Sequence, residues 1–294
     1  MRPKVSVIIP NYNHAPYLEQ RIESVLNQTF QDFEVILMDD CSTDHSVEIL
    51  QKYADHPKVS HLLLNEQNSG STFRQWKKGL EHAKGEYIWL AESDDWAELS
   101  FLEESLKMLE HDQKVGLSYC RTIPVNEYNQ VIGDNDLKYF DDLSPERWHS
   151  DFKNHGKDEI KNYLSKKCTI PNASAILFRK EVFEHVDFNF NFKLFGDWFI
   201  YMQILWHYDL VYSSCPLNYQ RGHANNVRSR TNKLQNLTEQ FEFLKVSKRH
   251  FLGVDFNSLK GKSRNDFFFF MLRSIKHRRF ATLYKSIFLI TNVI

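Results

Sequence analysis

Short apolar runs alternate with stretches of helical periodicity through the first 120 or so residues. Residues 5–9, 33–38, 59–64, 87–91 and 116–121 are compact apolar runs of strand length. Between them, 17–28, 44–53, 73–83 and 101–110 place apolar side chains every three or four positions, as in Leu18, Ile22, Val25 and Leu26. That spacing predicts helices. Pro16 suits a first helical turn, and Ser42, Thr43 and Asp44 are good caps for the second helix. Strands separated by helices at this interval imply βαβ units and a mainly parallel sheet covered on both faces. Such sheets bind ligands at the carboxyl ends of their strands, so the residues after each strand carry the chemical interest.

The alternation breaks over 124–168, a polar stretch rich in Asp, Asn and Lys. It reads as an insertion of loops and short helices facing a substrate. A strand at 173–178, a short helix at 181–185, a helix at 198–206 and closing strands at 210–212 and 217–220 are expected after it. Helical segments take over at about residue 230. The expected division is therefore 1–230, with an internal break near 123, followed by a helical segment 231–294.

Composition narrows this further. The chain has 294 residues, 42% hydrophobic and 26% charged, with 10 Gly and 8 Pro, which excludes disordered and collagen-like classes. A mean hydropathy of -0.51 and no apolar run near ~20 residues argue against a spanning helix. The apolar run after Met1, Arg2 and Lys4 is too short for a signal peptide. Cys41, Cys120, Cys168 and Cys215 lie far apart without a Cys-x-x-Cys pair, so neither a zinc site nor a disulfide framework is indicated. A cytoplasmic protein is expected.

The formal charge of -1 hides an asymmetry. Residues 260–294 carry eight Lys and Arg against one acid, +7, leaving 29 bases and 37 acids, -8, in the body. The same tail contains the unbroken apolar run 267–272 and apolar positions at helical spacing over 280–288. Basic residues beside aromatic ones suit either an interfacial helix at a membrane surface or a helix pair packed on the domain. An acidic body would repel nucleic acid, so none is expected as a partner.

Three strand ends stand out. Pro10-Asn11-Tyr12-Asn13 follows the first strand, where an aromatic ring among small amides suits a stacked planar base. Asp39 and Asp40 follow the second, where a carboxylate can accept hydrogen bonds from a base or ribose. Glu92-Ser93-Asp94-Asp95 follows the fourth. Three acids in four positions repel one another unless a cation or donors offset them, and hard divalent cations take one or two carboxylates plus phosphate oxygens. No Gly-x-Gly-x-x-Gly, Walker-type loop or Gly-x-Ser-x-Gly elbow occurs.

Val-Ser-Val-Ile-Ile-Pro-Asn-Tyr-Asn (5–13), Ser-Val-Leu-Asn-Gln-Thr-Phe (24–30), Asp-Asp-Cys-Ser-Thr-Asp (39–44), Ala-Lys-Gly-Glu-Tyr-Ile (83–88) and Ser-Asp-Asp (93–95) together resemble the family 2 glycosyltransferases. Looser matches follow at 171–179, 196–198 and 219–223. The resemblance implies a Rossmann-like α/β GT-A fold with a mainly parallel central sheet, here with C-terminal amphipathic helices. It implies 1–123 as the nucleotide-sugar-binding half and 124–230 as the acceptor-facing half. The implied activity is inverting, metal-dependent transfer of one hexosyl or hexosaminyl unit from a nucleotide-sugar, a UDP-sugar favoured, to an acceptor hydroxyl. Lipopolysaccharide, capsule or other surface glycan synthesis is the expected setting, on a saccharide or lipid-linked saccharide at the inner membrane face.

Carried over by position, Pro10 and Tyr12 line the base pocket, Asp40 binds base or ribose, and Arg74 supplies a basic donor-site group. Asp94 and Asp95 form the metal motif, with Asp95 the direct ligand to Mn²⁺ or Mg²⁺. Asp197 takes the general-base position, and His223 lies on a segment folding over the donor. The chain departs from the family at Gly196, where a second acid is common, at Glu92, and around Arg74. Gly196 keeps open a second class of function, a non-catalytic nucleotide-binding or assembly protein. A phosphoryl-accepting receiver explains Asp39 and Asp40 but not the acids at 92–95.

Overall fold

A computed structural model describes residues 2–132, 136–224 and 231–276. Four strands, β1 (Val5–Asn11), β2 (Phe33–Asp39), β3 (Val59–Leu64) and β4 (Tyr87–Leu90), form a parallel block ordered β3-β2-β1-β4. Helices α1 (Ala15–Leu26), α2 (Ser46–Tyr53) and α3 (Thr72–His82) make the crossovers. These are the expected βαβ units, with ends displaced by a residue or two. The acidic turn after β4 leads into β5 (Trp96–Ala97), α4 (Phe101–Glu110) and β6 (Val115–Val125).

The sheet continues from β4 through β8 (Ile176–Arg179), β6 and β9 (Asp209–Arg221) to β5, with β7 (Phe152–Asn154) paired on β9. Strand β8 runs antiparallel to both β4 and β6, whereas β9 is parallel to β6. Among the described residues, only the short β5, β7 and β8 oppose the common direction, so the sheet is mostly parallel. The two expected closing strands are one strand, β9, whose pairing with β6 shifts register near Arg121. The expected strand at 173–178 begins instead as a 3-10 turn, Ala173–Ala175. There the Asn172 side chain accepts from Ser174 N at 2.6 Å and starts β8 three residues late.

Alternation along the strands distributes the core. Val5, Val7, Ile9, Val35 and Leu37 pack on one face with Leu18 and Ile22 of α1, while Ile8, Ile36 and Met38 pack on the other. On that second face α3 lies so close that a Cβ on Gly79 would stand 2.5 Å from Ile8 Cγ2.

Helix α6 (Gly196–Leu205) is buried on all sides, Asp197 apart, because two layers close over it. One is the sheet. The other is α7 (Lys233–His250), which starts with a capping box between Asn232 and Gln235 and buries Leu237, Phe241, Phe243 and Leu244. The Phe243 ring centroid lies 4.7 Å from that of Trp198. The expected change of character near residue 230 is thus a change of secondary structure, and α7 contributes to the same core as the sheet. Helix α8 (Asn257–Lys276) follows, and its Phe268 and Phe269 are exposed. The helical pattern expected over 280–288 lies outside the described residues.

The 124–168 insertion contains the expected short elements: 3-10 turns at Asp136–Phe140 and Arg147–His149, helix α5 (Gly156–Glu159) and a π-helical turn at Ile160–Leu164. Strand β7 was not foreseen, since three residues carry no period. Arg147 and Glu159 form a buried bidentate pair at 3.2 and 2.6 Å that ties this segment together.

Candidate functional site

The carboxyl ends of β1, β2 and β4 open into a cavity of about 1430 Å³ lined by Pro10, Tyr12, Asp40, Asp94, Asp95 and Asp197. Six of the eight residues singled out from the sequence therefore meet in one place. After β1 the chain turns sharply at Asn13 (φ 57°), and after β2 at Cys41 (φ 63°). Asn is among the residues that tolerate this left-handed region best. The two turns are stitched together: Ser42 Oγ accepts from Asn13 N at 2.8 Å, and Asn13 Oδ1 accepts from Thr43 N at 2.8 Å. Tyr12, 39% exposed, presents its ring from this stitched platform.

The two aspartates after β2 have separate tasks. Asp39 accepts from Asn11 Nδ2 at 2.8 Å, Ser42 N at 2.7 Å and Ser42 Oγ at 2.6 Å, so it is a turn-builder. Asp40 accepts from Asn65 Nδ2, Ser69 N and Gln75 Nε2 on Oδ1, and from Ser69 Oγ on Oδ2, at 2.7–2.9 Å. It pins the 65–75 segment to the cavity wall. Ser42 serves these loops rather than capping α2. Asp44 does cap, accepting from Ser46 N at 3.0 Å, and its other oxygen accepts from Ala15 N at the start of α1.

Arg74 does not line the cavity. It is exposed, and Nη1 donates back to Ser69 O at 2.9 Å. The cavity wall there is made by Gly70, Ser71, Thr72, Phe73, Gln75 and Trp76. The sequence around Arg74 departs from the family pattern, and the structure places the side chain on the outer face of the first turn of α3.

The acidic turn after β4 is offset from three sides. Glu92, partly buried, accepts from Trp76 Nε1 at 2.7 Å, and burial followed by the charge of Asp94 pushes its carboxyl up to about 8. Asp95 accepts from Arg221 N at 2.9 Å and Asn172 Nδ2 at 3.0 Å. Its carboxyl is pushed up to about 6, by burial first and then by Asp94. Asp94 Oδ2 lies 2.9 Å from His223 Nε2. Burial opposes its ionisation, but the His223 hydrogen bond and the nearby His14 hold it below the usual range.

Beneath this turn lies a cation that the sequence reading missed. Arg21 of α1 is fully buried, donates through Nε to Glu92 O at 2.8 Å, and leaves Nη1 and Nη2 without a hydrogen-bond partner. Burial lowers it to about 10, while Asp95, Asp94 and Glu92 draw it back toward the charged form. A second, Arg221, reads the turn from above. Its N and Nε donate to Asp95 Oδ1 and Asp94 O, and its guanidinium lies 4.5 Å from the Tyr17 ring centroid and 4.8 Å from that of Trp96. Arg21 sits within a helical apolar stripe, which hides it. Arg221 was visible in Tyr-Gln-Arg-Gly-His, beside the residue singled out.

Asp95, the expected direct metal ligand, lines the cavity and spends one lone pair of each oxygen on a protein donor. Asp94 forms a cluster with His14 and His223, whose ligand atoms all lie within 4.8 Å of one another. His14 Nδ1 is 2.8 Å from Ser93 Oγ, and the two imidazole centroids are 5.2 Å apart. His14 directly follows the first motif, a signal not used from sequence. One carboxylate and two imidazoles are a fitting donor set for a divalent cation of the Mn²⁺ type, with oxygen ligands from a substrate completing it.

Asp197 lines the same cavity from the first turn of α6, with Oδ1 accepting from Trp198 N at 2.7 Å. It also lines a second cavity of about 430 Å³. Gly196 is there for space: a Cβ would lie 2.3 Å from Phe73 Cε2 and 2.7 Å from Phe190 Cε2. The missing second acid is thus replaced by an aromatic wall.

The chain is similar to known proteins in sequence and in fold. Residues 6–187 match the family model described as glycosyl transferase family 2. A Bacillus subtilis protein named as a teichuronic acid biosynthesis glycosyltransferase, TuaG, is 40% identical over 108 residues, 37% of this chain and 42% of that one. The Streptococcus pneumoniae glycosyltransferase GlyG is 30% identical over 202 residues, 67% of this chain and 63% of its own. The first curated relatives are thus matched over less than half of their length, 42% for each of two. Among solved structures, Staphylococcus aureus TarS 1–349 with UDP-GlcNAc superposes with TM-score 0.70 at 19% identity, covering 99% of this chain and 82% of that one. The Pyrobaculum calidifontis mannosyltransferase PcManGT, in complex with GDP-Man and Mn²⁺, gives 0.62 at 17%, covering 99% and 75%. The architecture is GT-A, and the chain belongs to glycosyl transferase family 2.

Proposed function

We propose that this chain is a metal-dependent inverting glycosyltransferase that moves one sugar from a nucleotide-sugar to an acceptor hydroxyl in surface-glycan synthesis. The observation that carries this reading is the pairing, across one cavity, of the Asp94–His14–His223 cluster with the Asp197 carboxylate. Tyr12 stacks the base, and Asp40 accepts a hydrogen bond from base or ribose. The cation held by Asp94, His223 and His14 would neutralise the leaving diphosphate. Asp197 takes the proton of the attacking hydroxyl as the acceptor oxygen displaces the nucleoside diphosphate in line. Two imidazoles favour Mn²⁺ over Mg²⁺, which prefers oxygen ligands and water.

A UDP-sugar is favoured as donor, supported by the likeness to TarS, which binds UDP-GlcNAc. Gly196 no longer speaks for a non-catalytic protein, since Phe73 occupies the space a second acid would need. The test is a calorimetric titration with UDP, GDP and dTDP, with and without Mn²⁺, on wild type, Asp94→Asn and Asp95→Asn. One nucleotide should bind tightly only with metal, and Asp94→Asn should abolish that dependence. Binding of no nucleotide under any condition would refute the donor site.

A peripheral position at the cytoplasmic membrane face is a separate part of the proposal. The exposed Phe268 and Phe269 of α8, beside the exposed Lys262 and Arg264, support it; among the described residues no helix is long and apolar enough to cross a membrane. Phe268→Ser/Phe269→Ser should weaken co-sedimentation with phosphatidylglycerol vesicles. Equal sedimentation of variant and wild type would remove the membrane.

A further inference from the structure

The second cavity has a charge pattern that the first lacks. Its walls include Arg121, Lys166, Lys167 and Lys262, and among the described residues its one acid is Asp197. Lys167 is already engaged, 2.8 Å from Asp142 Oδ1 and 3.9 Å from the Tyr139 ring centroid. Lys166, just after the π-helical turn, and Lys262 of α8 are exposed at the mouth. Deeper in, Tyr119, Trp198 and Tyr212 are buried within the wall, while Gln220, Asn236 and Gln240 offer amides. About 430 Å³ is at the small end of ligand sites, enough for one or two sugar units. Amides suit a polyhydroxylated ring, and a basic rim in an otherwise acidic chain suits an anion.

We infer that this cavity is the acceptor subsite, and that the acceptor unit it holds is a saccharide or polyol bearing a carboxylate or phosphate. This rests on the reading of Asp197 as the proton acceptor. The unit sits with its nucleophilic hydroxyl at Asp197 and its anionic group toward Lys166 and Lys262. On transfer the hydroxyl proton passes to Asp197, and the acceptor oxygen bonds the donor's anomeric carbon. The anomeric carbon–phosphate oxygen bond breaks, and its electron pair leaves with the nucleoside diphosphate. Specificity for the charged unit is then set by residues that never touch the donor.

The experiment is saturation-transfer NMR titration of the full chain, saturated with Mn²⁺ and whichever nucleotide it binds. The probes are methyl glucuronide and glucose 6-phosphate, with methyl glucoside and glucose as uncharged parents. Wild type should bind at least one anionic probe about tenfold more tightly than its parent, as expected for two ion pairs of ordinary strength. Lys166→Gln/Lys262→Gln should bring charged and uncharged probes within about threefold while binding the nucleotide as wild type does. Preference for the glucuronide alone assigns a carboxylate, and for glucose 6-phosphate alone a phosphate. Equal affinity for charged and uncharged probes, no binding of any of the four, or a preference that survives the double substitution overturns the inference. Failure of every nucleotide to bind refutes the donor site and leaves the anion preference to be read on its own.

Discussion

The two cavities that meet at Asp197 are walled in different ways. The larger is floored by strand ends, and its carboxylates are held by near neighbours: Asp39 by Ser42, Asp40 by the 65–75 segment, Asp95 by Arg221 and Asn172. The smaller is assembled from side chains of β6, the 160–168 segment, α6, α7 and α8, and its lysines at the mouth are exposed. A cavity of the first kind is stiff, because moving any carboxylate breaks several hydrogen bonds at once. A cavity of the second kind changes its ligand by changing a few exposed side chains at little cost in stability. On the proposed reading, the chemistry common to many substrates belongs in the first, and the choice among acceptors in the second.

The sharpest way to break this division is at the residue the cavities share. Asp197→Asn should lower sugar transfer by about 10²–10⁴-fold while nucleotide binding in calorimetry stays as in wild type. Lost nucleotide binding would mean that Asp197 belongs to the donor floor. Next comes the floor itself. Arg21→Met should cost about 3–5 kcal/mol at pH 8, since it strips the buried countercharge from Glu92, Asp94 and Asp95. The cost should shrink at pH 5, where Asp95, pushed up to about 6, takes a proton instead. Urea unfolding at the two pH values of metal-free protein reads this, and an equal cost at both would dismiss the countercharge role.

The wall between the cavities gives a smaller effect. Gly196→Ala should destabilise by about 1–3 kcal/mol through overpacking against Phe73, and the double variant with Phe73→Ala should show strong non-additivity in urea unfolding. The remaining effect is in the pH profile. Glu92 rises from an ordinary 4.5 to about 8 on folding, so the folded state holds a proton that the unfolded chain releases. That contribution to stability is complete below pH 4.5 and is lost progressively as pH rises to about 8. Glu92→Gln should flatten this decline in metal-free protein, and an unchanged slope would show that Glu92 titrates normally.

Much of the parallel block was readable because its signals are local. Apolar runs over Val5–Asn11 and Phe33–Asp39, helical spacing between them, and acids following the strands all lie within a few residues of one another. The motif residues Pro10, Tyr12, Asp40 and Asp94 accordingly fall together in the cavity. Residues that act across the fold were not readable. Asp39 was singled out for chemistry but builds a turn, Arg74 points outward, and Arg21, buried under the acidic turn, occupies a position in a helical stripe that sequence alone marks as ordinary.

What the sequence determined by itself was the order of strands and helices in the parallel block, and the presence of carboxylates at its strand ends, since periodicity and turn chemistry act between near neighbours. What only the tertiary structure decided was which atoms of those carboxylates are spent. Asp95 spends one lone pair of each oxygen on Arg221 and Asn172, while Asp94 faces His14 and His223, and adjacent residues in the chain thereby receive different environments. The reason is that the partners come from β9 and from the segment before β8, some 126 and 77 positions away, and only the completed sheet brings them to the turn.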